Sequence, residues 1–380
     1  MSGAGEVSHM HFRVLGFWRV LAAFLVMIFH YLTYGPASGL ELAERMRSLM
    51  PLLDMFLMIS GFLIMLRYAD RLLVERGGYV SFLARRLARF YPLYLLTLVY
   101  FVAVAVAVHL GLTGSPADER YDFAALPANL LLIQGWGFTE VLTFNYVGWT
   151  LSAEWFCYLT LPVVVLAYRR FGLVGLAALI AAVCIALEAA VAARVMPFES
   201  WMYADTWGAY RAFADFSIGA FLAVLVRDSR WRLRSQVPGW TAFGLCIFLM
   251  WNGLAGYGAL ALLAVSIFLA ALAERNNQDA TLVLKPFDPL ANASFSIYLI
   301  HPVVASLMFG FVWRKVLEPL EIISFYAYWL APMAVSVALA LLSAHYFEAP
   351  LAKLLNERFA NISSAGRKMA RNAARISAQN

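Results

Sequence analysis

Polar segments rich in Lys and Arg alternate along this chain with polar segments that are poor in them, and ten apolar runs separate the two kinds. Of the 29 Lys and Arg residues, 21 lie in or beside the two terminal segments and the even-numbered loops, whereas 6 lie in the odd-numbered loops. Because the cytoplasmic segments of membrane proteins carry the excess of Lys and Arg, this distribution predicts that both termini are cytoplasmic. The ten runs are 14–34, 51–68, 88–110, 147–168, 172–192, 209–226, 239–252, 257–273, 293–313 and 324–346.

The composition indicates a membrane protein independently of the loops. Hydrophobic residues make up 63% of the chain and charged residues only 14%, which is too apolar for a soluble core with a wettable surface. Several runs reach about 20 residues, the length of a helix that crosses a hydrocarbon core of about 30 Å. A helix also satisfies its own backbone hydrogen bonds there. We therefore predict an all-α membrane protein, a polytopic bundle of about ten transmembrane helices.

Two stretches leave the number of spans open. The runs 239–252 and 257–273 are short and separated by Asn and Gly residues, which fits either a tilted hairpin or one re-entrant element. The stretch 124–135 contains Pro127 and Asn129, and we interpret it as an interfacial or re-entrant helix. The first apolar run is too long for a signal peptide and lacks a cleavage site, so we expect it to remain as the first span.

Charge and cysteine content narrow the classes of partner. The net charge of +6 comes from the predicted cytoplasmic segments, which suits anionic lipid headgroups, and no nucleic-acid-binding motif accompanies it. The three cysteines lie within apolar runs without the spacing of a metal site, so we predict neither a disulfide nor a bound metal. We expect one membrane domain over residues 1–350 and a basic cytoplasmic tail over residues 351–380.

Ionisable residues inside the apolar runs are the first indication of chemistry, because each is costly in hydrocarbon and usually belongs to a pathway or a site. Arg19 and His30 are eleven residues apart, so they lie on one helix face. The helical rise between them is about 16 Å. A buried histidine taken alone is more often a hydrogen-bonded structural residue than a catalytic one.

Four other ionisable side chains are expected at the depth of His30. Asp54, Glu154, Arg211 and Asp215 enter from the outer ends of their spans and reach a similar level below the outer surface. Five such groups from four helices predict the lining of a polar cavity. Alternatively, Arg211 and Asp215, four residues apart on one helix, pair only with each other.

A cluster of three arginines, Arg85, Arg86 and Arg89, stands at the predicted cytoplasmic start of the third span. Guanidinium groups bind phosphates through paired hydrogen bonds, so the cluster suits a polyanionic ligand. The cluster could equally be a topology anchor, that is, a group of positive charges that fixes the orientation of the helix in the membrane.

A polar stripe is predicted along the ninth span. Ser294, Tyr298 and His301 lie near one helix face, so they extend from the predicted cytoplasmic side toward mid-membrane. Such a stripe lines a substrate channel in one interpretation. In the other, its members form interhelical hydrogen bonds, which polar side chains commonly make in membrane bundles.

Six segments stand in a fixed order along the chain: residues 17–30, 54–64, 86–92, 149–154, 294–302 and 347–350. They read FWR followed by His30, DMFLMISGFLI, RLARFYP, WTLSAE, SFSIYLIHP and FEAP. Together they resemble the acyltransferase 3 family of integral membrane O-acyltransferases. The resemblance implies transfer of an acyl group, usually acetyl from acetyl-CoA, to a hydroxyl of a carbohydrate, a glycolipid or another cell-envelope acceptor. It also implies a multi-pass protein of the bacterial inner membrane.

The resemblance implies a role for each candidate residue. His30 is expected to be the general base on the acceptor hydroxyl, because an imidazole titrates near the working pH, and Glu154 is expected to orient that imidazole. A covalent acyl-His intermediate is the alternative. The remaining candidates are Arg19, Arg85, Arg86, Arg89, Ser294, Tyr298 and His301 for the acyl-CoA donor, and Asp54, Arg211 and Asp215 for the acceptor.

Two other classes of function account for part of the pattern. A secondary transporter explains buried ionisable residues as a proton or solute pathway, but it does not explain the arginine cluster. The sequence also shows no convincing internal repeat of the kind that transporters often contain. A catalytically inert flippase-like or scaffold protein of envelope assembly is the third class.

Overall fold

The structure is a computed structural model that describes residues 10–75, 77–112 and 119–359. These described residues form helices and turns without any strand, which confirms the predicted all-α fold class. The α-helices are α1 Arg13–Leu32, α2 Ala37–Met46, α3 Leu52–Tyr68, α4 Gly78–His109, α5 Leu126–Leu130, α6 Trp149–Ala192, α7 Gly208–Asp228, α8 Val237–Trp251, α9 Gly256–Asn276, α10 Asp288–Val304, α11 Glu318–Leu320, α12 Phe325–Tyr328 and α13 Leu330–Leu342. The 3-10 segments are Arg47–Leu49, Glu119–Tyr121, Phe123–Ala125, Tyr146–Gly148, Trp201–Tyr203 and Asp279–Phe287, and the π-helical segments are Ala305–Leu317 and Ser343–Glu348.

Eight helical segments of the described residues are long and apolar enough to cross a membrane. One of them contains α6, whose 44 residues would extend about 66 Å if straight, far more than a hydrocarbon core. At Gly172 the backbone leaves helical geometry, with φ 62° and ψ −143°, so α6 consists of two helical halves. These halves correspond to the predicted runs 147–168 and 172–192. The chain is an integral membrane protein, and the number of ten spans remains a prediction.

The region between α7 and α10 contains two helices that pack against each other, α8 and α9. Gly253 and Gly256, with φ of 100° and 62°, lie at the connection, where glycine adopts positive φ without steric cost. The hairpin is therefore the arrangement that the structure shows for this region. In the stretch 124–135 the structure has the five-residue helix α5, and its position relative to the membrane remains a prediction.

Helix α4 begins earlier than the apolar run that predicts it. The run starts at residue 88, whereas the helix starts at Gly78, directly after Gly77 with φ 79°. Of the residues between, those of 83–87 are good helix formers, and hydropathy does not detect a helical turn that carries charges. The three arginines of residues 85–89 thus project from within α4, not from the loop before it.

The last helix crosses the predicted domain boundary at residue 350. After the π-helical segment the chain stays helical to Phe359. The first part of the predicted tail is therefore a continuation of this helix. Residues 360–380 lie outside the described residues, so the basic cytoplasmic tail remains a prediction.

Helices α3 and α7 form the closest helix pair of the bundle. A Cβ atom at Gly61 would overlap the carbonyl oxygen of Phe216, and one at Gly219 would overlap that of Met58. The two backbones therefore approach directly through glycines, which is a common way for membrane helices to pack. α6 and α9 pack on the same α7, so α7 is surrounded on several sides, and α1 packs on α10.

Replacing Gly219 by alanine is expected to destabilise the protein, because the added methyl group forces α3 and α7 apart. Overpacking of this kind typically costs about 1–3 kcal/mol. The thermal unfolding midpoint in detergent measures the effect. Gly244→Ala is the matched control, since a Cβ atom there meets no atom within 4 Å. Equal midpoints for the two variants would show that this helix contact is not tight.

Candidate functional site

An open cavity lies at the end of the bundle that carries the arginines. Its volume is about 1000 Å³ including the open mouth, and it is surrounded by residues of α1, α3, α4, α6 and α10. Its polar and charged lining consists of His11, Arg19, Ser60, Arg67, Arg86, Arg89, Glu154, Tyr158 and Asn292. We call it the arginine cavity.

Positive charge dominates the arginine cavity. Four guanidinium groups stand against the single carboxylate of Glu154, which accepts hydrogen bonds from the hydroxyls of Ser60 (2.5 Å) and Tyr158 (2.5 Å). The guanidinium carbon of Arg19 lies 4.2 Å from the ring centre of Phe56, and that of Arg86 lies 5.4 Å from the ring of Tyr158. This excess of cations suits a ligand that carries several negative charges.

The helical repeat decides which arginines of the predicted cluster line the cavity. Arg86 and Arg89 are three residues apart on α4 and both line it. Arg85 is exposed, is absent from the lining, and has its guanidinium 5.9 Å from the ring of Tyr68. Arg67 of α3 does line the cavity and was not predicted, because its place at the end of an apolar run is typical of a membrane anchor.

A second cavity, of about 430 Å³ including the space open to solvent, adjoins the first at Glu154 and Phe295, which line both. Its other lining residues are mainly apolar, and Ala22 and Ala23 of α1 leave space because their side chains are small. The remaining lining residues are Leu53, Phe56, Leu57, Thr150, Leu151 and Tyr298. We call it the apolar cavity.

Two histidines face each other beyond the apolar cavity. The ring centroids of His30 and His301 are 5.4 Å apart, with 22° between the ring planes. The half-buried His30 also contacts the ring of Tyr146 at 4.7 Å, edge to face. Tyr298, which lines the apolar cavity, has its ring 5.9 Å from that of His301. Tyr298 thus connects the apolar cavity to this histidine pair.

Arg120 lies near the histidine pair and was not predicted. Its guanidinium carbon is 4.6 Å from the ring centre of Tyr146, on which His30 also packs. Nothing in its local sequence distinguishes it from other loop residues. Only the fold of the loop after α4 brings it to this place, where Tyr146 lies between it and His30.

A separate buried charge cluster joins α3 to α7. Arg211 binds Asp54 through both Nε (2.7 Å) and an NH2 nitrogen (2.5 Å), and Asp215 lies beside Asp54. The predicted alternative, in which Arg211 pairs only with Asp215, is therefore wrong. These three residues line neither the arginine cavity nor the apolar cavity. Their predicted role toward an acceptor remains a prediction.

Replacing Arg211 by methionine is expected to destabilise the protein strongly, because it leaves two buried carboxylates without a cation. Breaking a buried ion pair in this way typically costs about 3–5 kcal/mol. Unfolding in detergent, followed by the thermal midpoint, measures the loss. Arg47→Met is the matched control, since the Arg47–Glu44 pair is 63% and 66% exposed and contributes little. A wild-type midpoint for Arg211→Met would contradict the role of this cluster in stability.

The five ionisable groups expected to share one cavity lie in three places. His30 is in the histidine pair, Glu154 is at the junction of the two cavities, and the other three form the buried charge cluster. The described contacts of Glu154 are with Ser60 and Tyr158, not with the His30 ring. Equal depth along separate helices does not determine which side chains face each other.

The polar stripe of α10 is also divided. Tyr298 reaches the apolar cavity and His301 the histidine pair, whereas the hydroxyl of Ser294 donates to the carbonyl oxygen of Ala291 (2.9 Å) within its own helix. Among the described residues, no group of three or more His, Cys, Asp or Glu side chains is arranged to hold a metal ion.

Comparison with known proteins gives two matches. The profile of the acyltransferase 3 family, described as an acyltransferase domain, matches residues 14–345. Acyltransferase MdmB of Streptomyces mycarofaciens is 26% identical over 277 residues, which are 65% of this chain and 66% of that protein. The match thus spans slightly less than two thirds of the length of this relative. No solved structure matches the chain significantly.

Proposed function

This chain belongs to the acyltransferase 3 family, and on that premise we propose that it is an O-acyltransferase that moves an acyl group, acetyl in the first instance, from acyl-CoA to an acceptor hydroxyl. The observation that carries the proposal is that the arginine cavity adjoins the apolar cavity, and that Tyr298 of the apolar cavity packs on His301 of the histidine pair. We call this order, from the arginine cavity through the apolar cavity to the histidine pair, the donor route. It suits a donor with a polyanionic head, a less polar arm and a reactive thioester at its end.

The donor binds with its phosphates in the arginine cavity. Arg19, Arg67, Arg86 and Arg89 supply guanidinium groups that hold phosphate oxygens through charge-assisted hydrogen bonds. The pantetheine arm then occupies the apolar cavity, where the hydroxyl oxygen of Thr150, whose O–H donates to the carbonyl oxygen of Val147 (3.1 Å), can accept a hydrogen bond from an amide N–H of the arm. Arg19 and His30 are separated by about 16 Å of helical rise, a distance that an extended arm covers.

His30 is the general base of the reaction. It takes the proton of the acceptor hydroxyl as the hydroxyl oxygen forms a bond to the thioester carbonyl carbon. The C–S bond then breaks, and the thiolate of CoA receives the proton from the His30 imidazolium. Glu154 does not act on His30 in this scheme; it holds Ser60 and Tyr158 at the junction of the cavities and limits the positive charge there.

The acceptor approaches His30 from the predicted outer side, where Tyr146 and Arg120 lie beside it. A carbohydrate hydroxyl of a cell-envelope component fits this position, because planar aromatic and guanidinium groups pack well against sugar rings. The bacterial inner membrane is the matching location, with the donor in the cytoplasm and the acceptor outside.

Release of free CoA from acetyl-CoA tests this function. The purified protein in lipid nanodiscs is incubated with acetyl-CoA and a fraction of cell-envelope glycans, free thiol is measured, and mass spectrometry follows acetylation of the glycans. We expect glycan-stimulated thiol release together with an acetylated product. Failure of acetyl-CoA and of longer acyl-CoA donors, combined with solute movement into proteoliposomes, would replace this proposal with a transporter.

A further inference from the structure

His301 is a polar side chain in a fully buried position. Its exposed fraction is 0%, and its ring packs against the rings of His30, Tyr31 and Tyr298. Within the described part of the chain, neither Nδ1 nor Nε2 has a hydrogen-bond partner of normal geometry. The backbone of Ile297 and of Tyr298, one turn earlier, makes weak hydrogen-bond contacts with the ring that fall outside this geometry.

Packing alone does not explain an imidazole at this position. A buried polar atom without a partner is unfavourable, and a phenylalanine ring would fill the same space without that cost. The hydroxyl of Tyr31 donates to the backbone carbonyl oxygen of His301 (3.3 Å), so this contact holds the helix and leaves the ring nitrogens unused. At least one ring nitrogen is therefore available to a further hydrogen-bond partner.

Tyr298 lies between the apolar cavity and His301. It lines that cavity, and its ring is 5.9 Å from the His301 ring. His301 in turn faces His30. A thioester that passes Tyr298 along the donor route would therefore come to the edges of the two imidazole rings.

We propose that His301 is a second catalytic residue, whose ring N–H donates a hydrogen bond to the carbonyl oxygen of the donor thioester. This inference rests on the proposed acyltransferase function. The ring centroids of His30 and His301 are 5.4 Å apart. Stacked rings at that spacing leave no room for an atom between their faces, so the thioester carbonyl lies beside the pair, at the ring edges, because an imidazole N–H donates in the plane of its ring.

The two histidines then have separate tasks in one step. The acceptor oxygen bonds to the carbonyl carbon while its proton moves to His30, and negative charge develops on the carbonyl oxygen. The N–H of His301 stabilises that oxyanion, because a fixed donor in a water-poor site interacts more strongly with developing charge than water does. As the C–S bond breaks, the charge moves to sulfur, and the thiolate takes the proton from His30.

Three substitutions at one position test the inference. His301→Phe keeps a ring and removes both nitrogens, whereas His301→Asn and His301→Gln place an amide near the Nδ1 and Nε2 positions, respectively. kcat and the KM for acetyl-CoA are measured from CoA release with the same glycan fraction, beside the wild type and His30→Ala. Binding of free CoA by each variant reports whether the donor site is intact.

We expect His301→Phe to lower kcat by about 10²–10³-fold, the usual effect of removing an oxyanion donor, with unchanged KM and CoA binding. One of the amide variants should recover about tenfold of that loss, which a merely structural ring would not allow. Wild-type kcat in His301→Phe, or two amide variants as slow as the phenylalanine variant with normal CoA binding, would overturn the inference. If the wild type itself releases no CoA, the proposed function fails first; a His30-dependent wild type with a fully active His301→Phe rejects only the role of His301.

Discussion

Replacing His30 by alanine is expected to abolish most of the glycan-stimulated release of CoA, with a loss in kcat of about 10³-fold. The physical reason is that the acceptor hydroxyl is a weak nucleophile until a base removes its proton. His30 is the half-buried imidazole at the end of the donor route, and its ring contacts are aromatic. KM for acetyl-CoA should change little, because the donor phosphates bind at the far end of that route.

The control for this prediction is His345→Ala. His345 is exposed and lies in the π-helical segment that precedes the last helical turns, with its ring against Tyr346. Its replacement removes an imidazole of the same chemistry from a place outside both cavities. A His30→Ala enzyme that keeps the wild-type kcat would reject the general-base role and transfer the search to other groups near the thioester.

Replacing Arg89 by glutamine is expected to raise the KM for acetyl-CoA by about 10–100-fold, because a hydrogen bond to a charged group contributes about 1.5–3 kcal/mol. The effect should appear in KM rather than in kcat, since Arg89 lines the arginine cavity and not the histidine pair. Steady-state kinetics with varied acetyl-CoA measures it. Arg89 is preferable to Arg86 for this test, because the guanidinium of Arg86 also packs on Tyr158 and Phe82.

Arg85→Gln provides the matched control on the same helix. The two arginines are four residues apart on α4, but only Arg89 lines the cavity. A topology anchor would depend on both charges alike, so equal behaviour of the two variants would favour the anchor. A raised KM in Arg89→Gln alone would support a donor site and would remove Arg85 from the predicted set of phosphate ligands.

The pattern of apolar runs was sufficient to predict the helical membrane fold, because a residue's preference for hydrocarbon is a property of its own side chain. The runs located α1, α3, α7 and both halves of α6 to within a few residues. Hydropathy did not predict a helix boundary correctly where part of the helix lies outside the apolar run. The start of α4 is one such place, because the residues before the run include Arg85 and Arg86 but remain helical.

The sequence predicted which residues belong to the candidate site more completely than it predicted which of them face each other. The resemblance singled out Arg19, His30, Arg86 and Arg89, each of which the structure places in one of the cavities or in the histidine pair. It also suggested that Glu154 orients His30, whereas the described hydrogen bonds of Glu154 are to Ser60 and Tyr158. Depth in a membrane is one coordinate, and two side chains at equal depth can still face different neighbours.

The all-α membrane fold and the residues of an acyltransferase family could both be recognised from the sequence, because they follow from the chemistry and order of residues along the chain. Which of those residues meet is known only from the packing of the helices. His301 of α10 faces His30 of α1, and Arg211 of α7 pairs with Asp54 of α3. The residues of each pair are far apart in sequence. Close helix packing, such as that of α3 and α7 at Gly61 and Gly219, sets the positions of the helices and so determines which side chains meet.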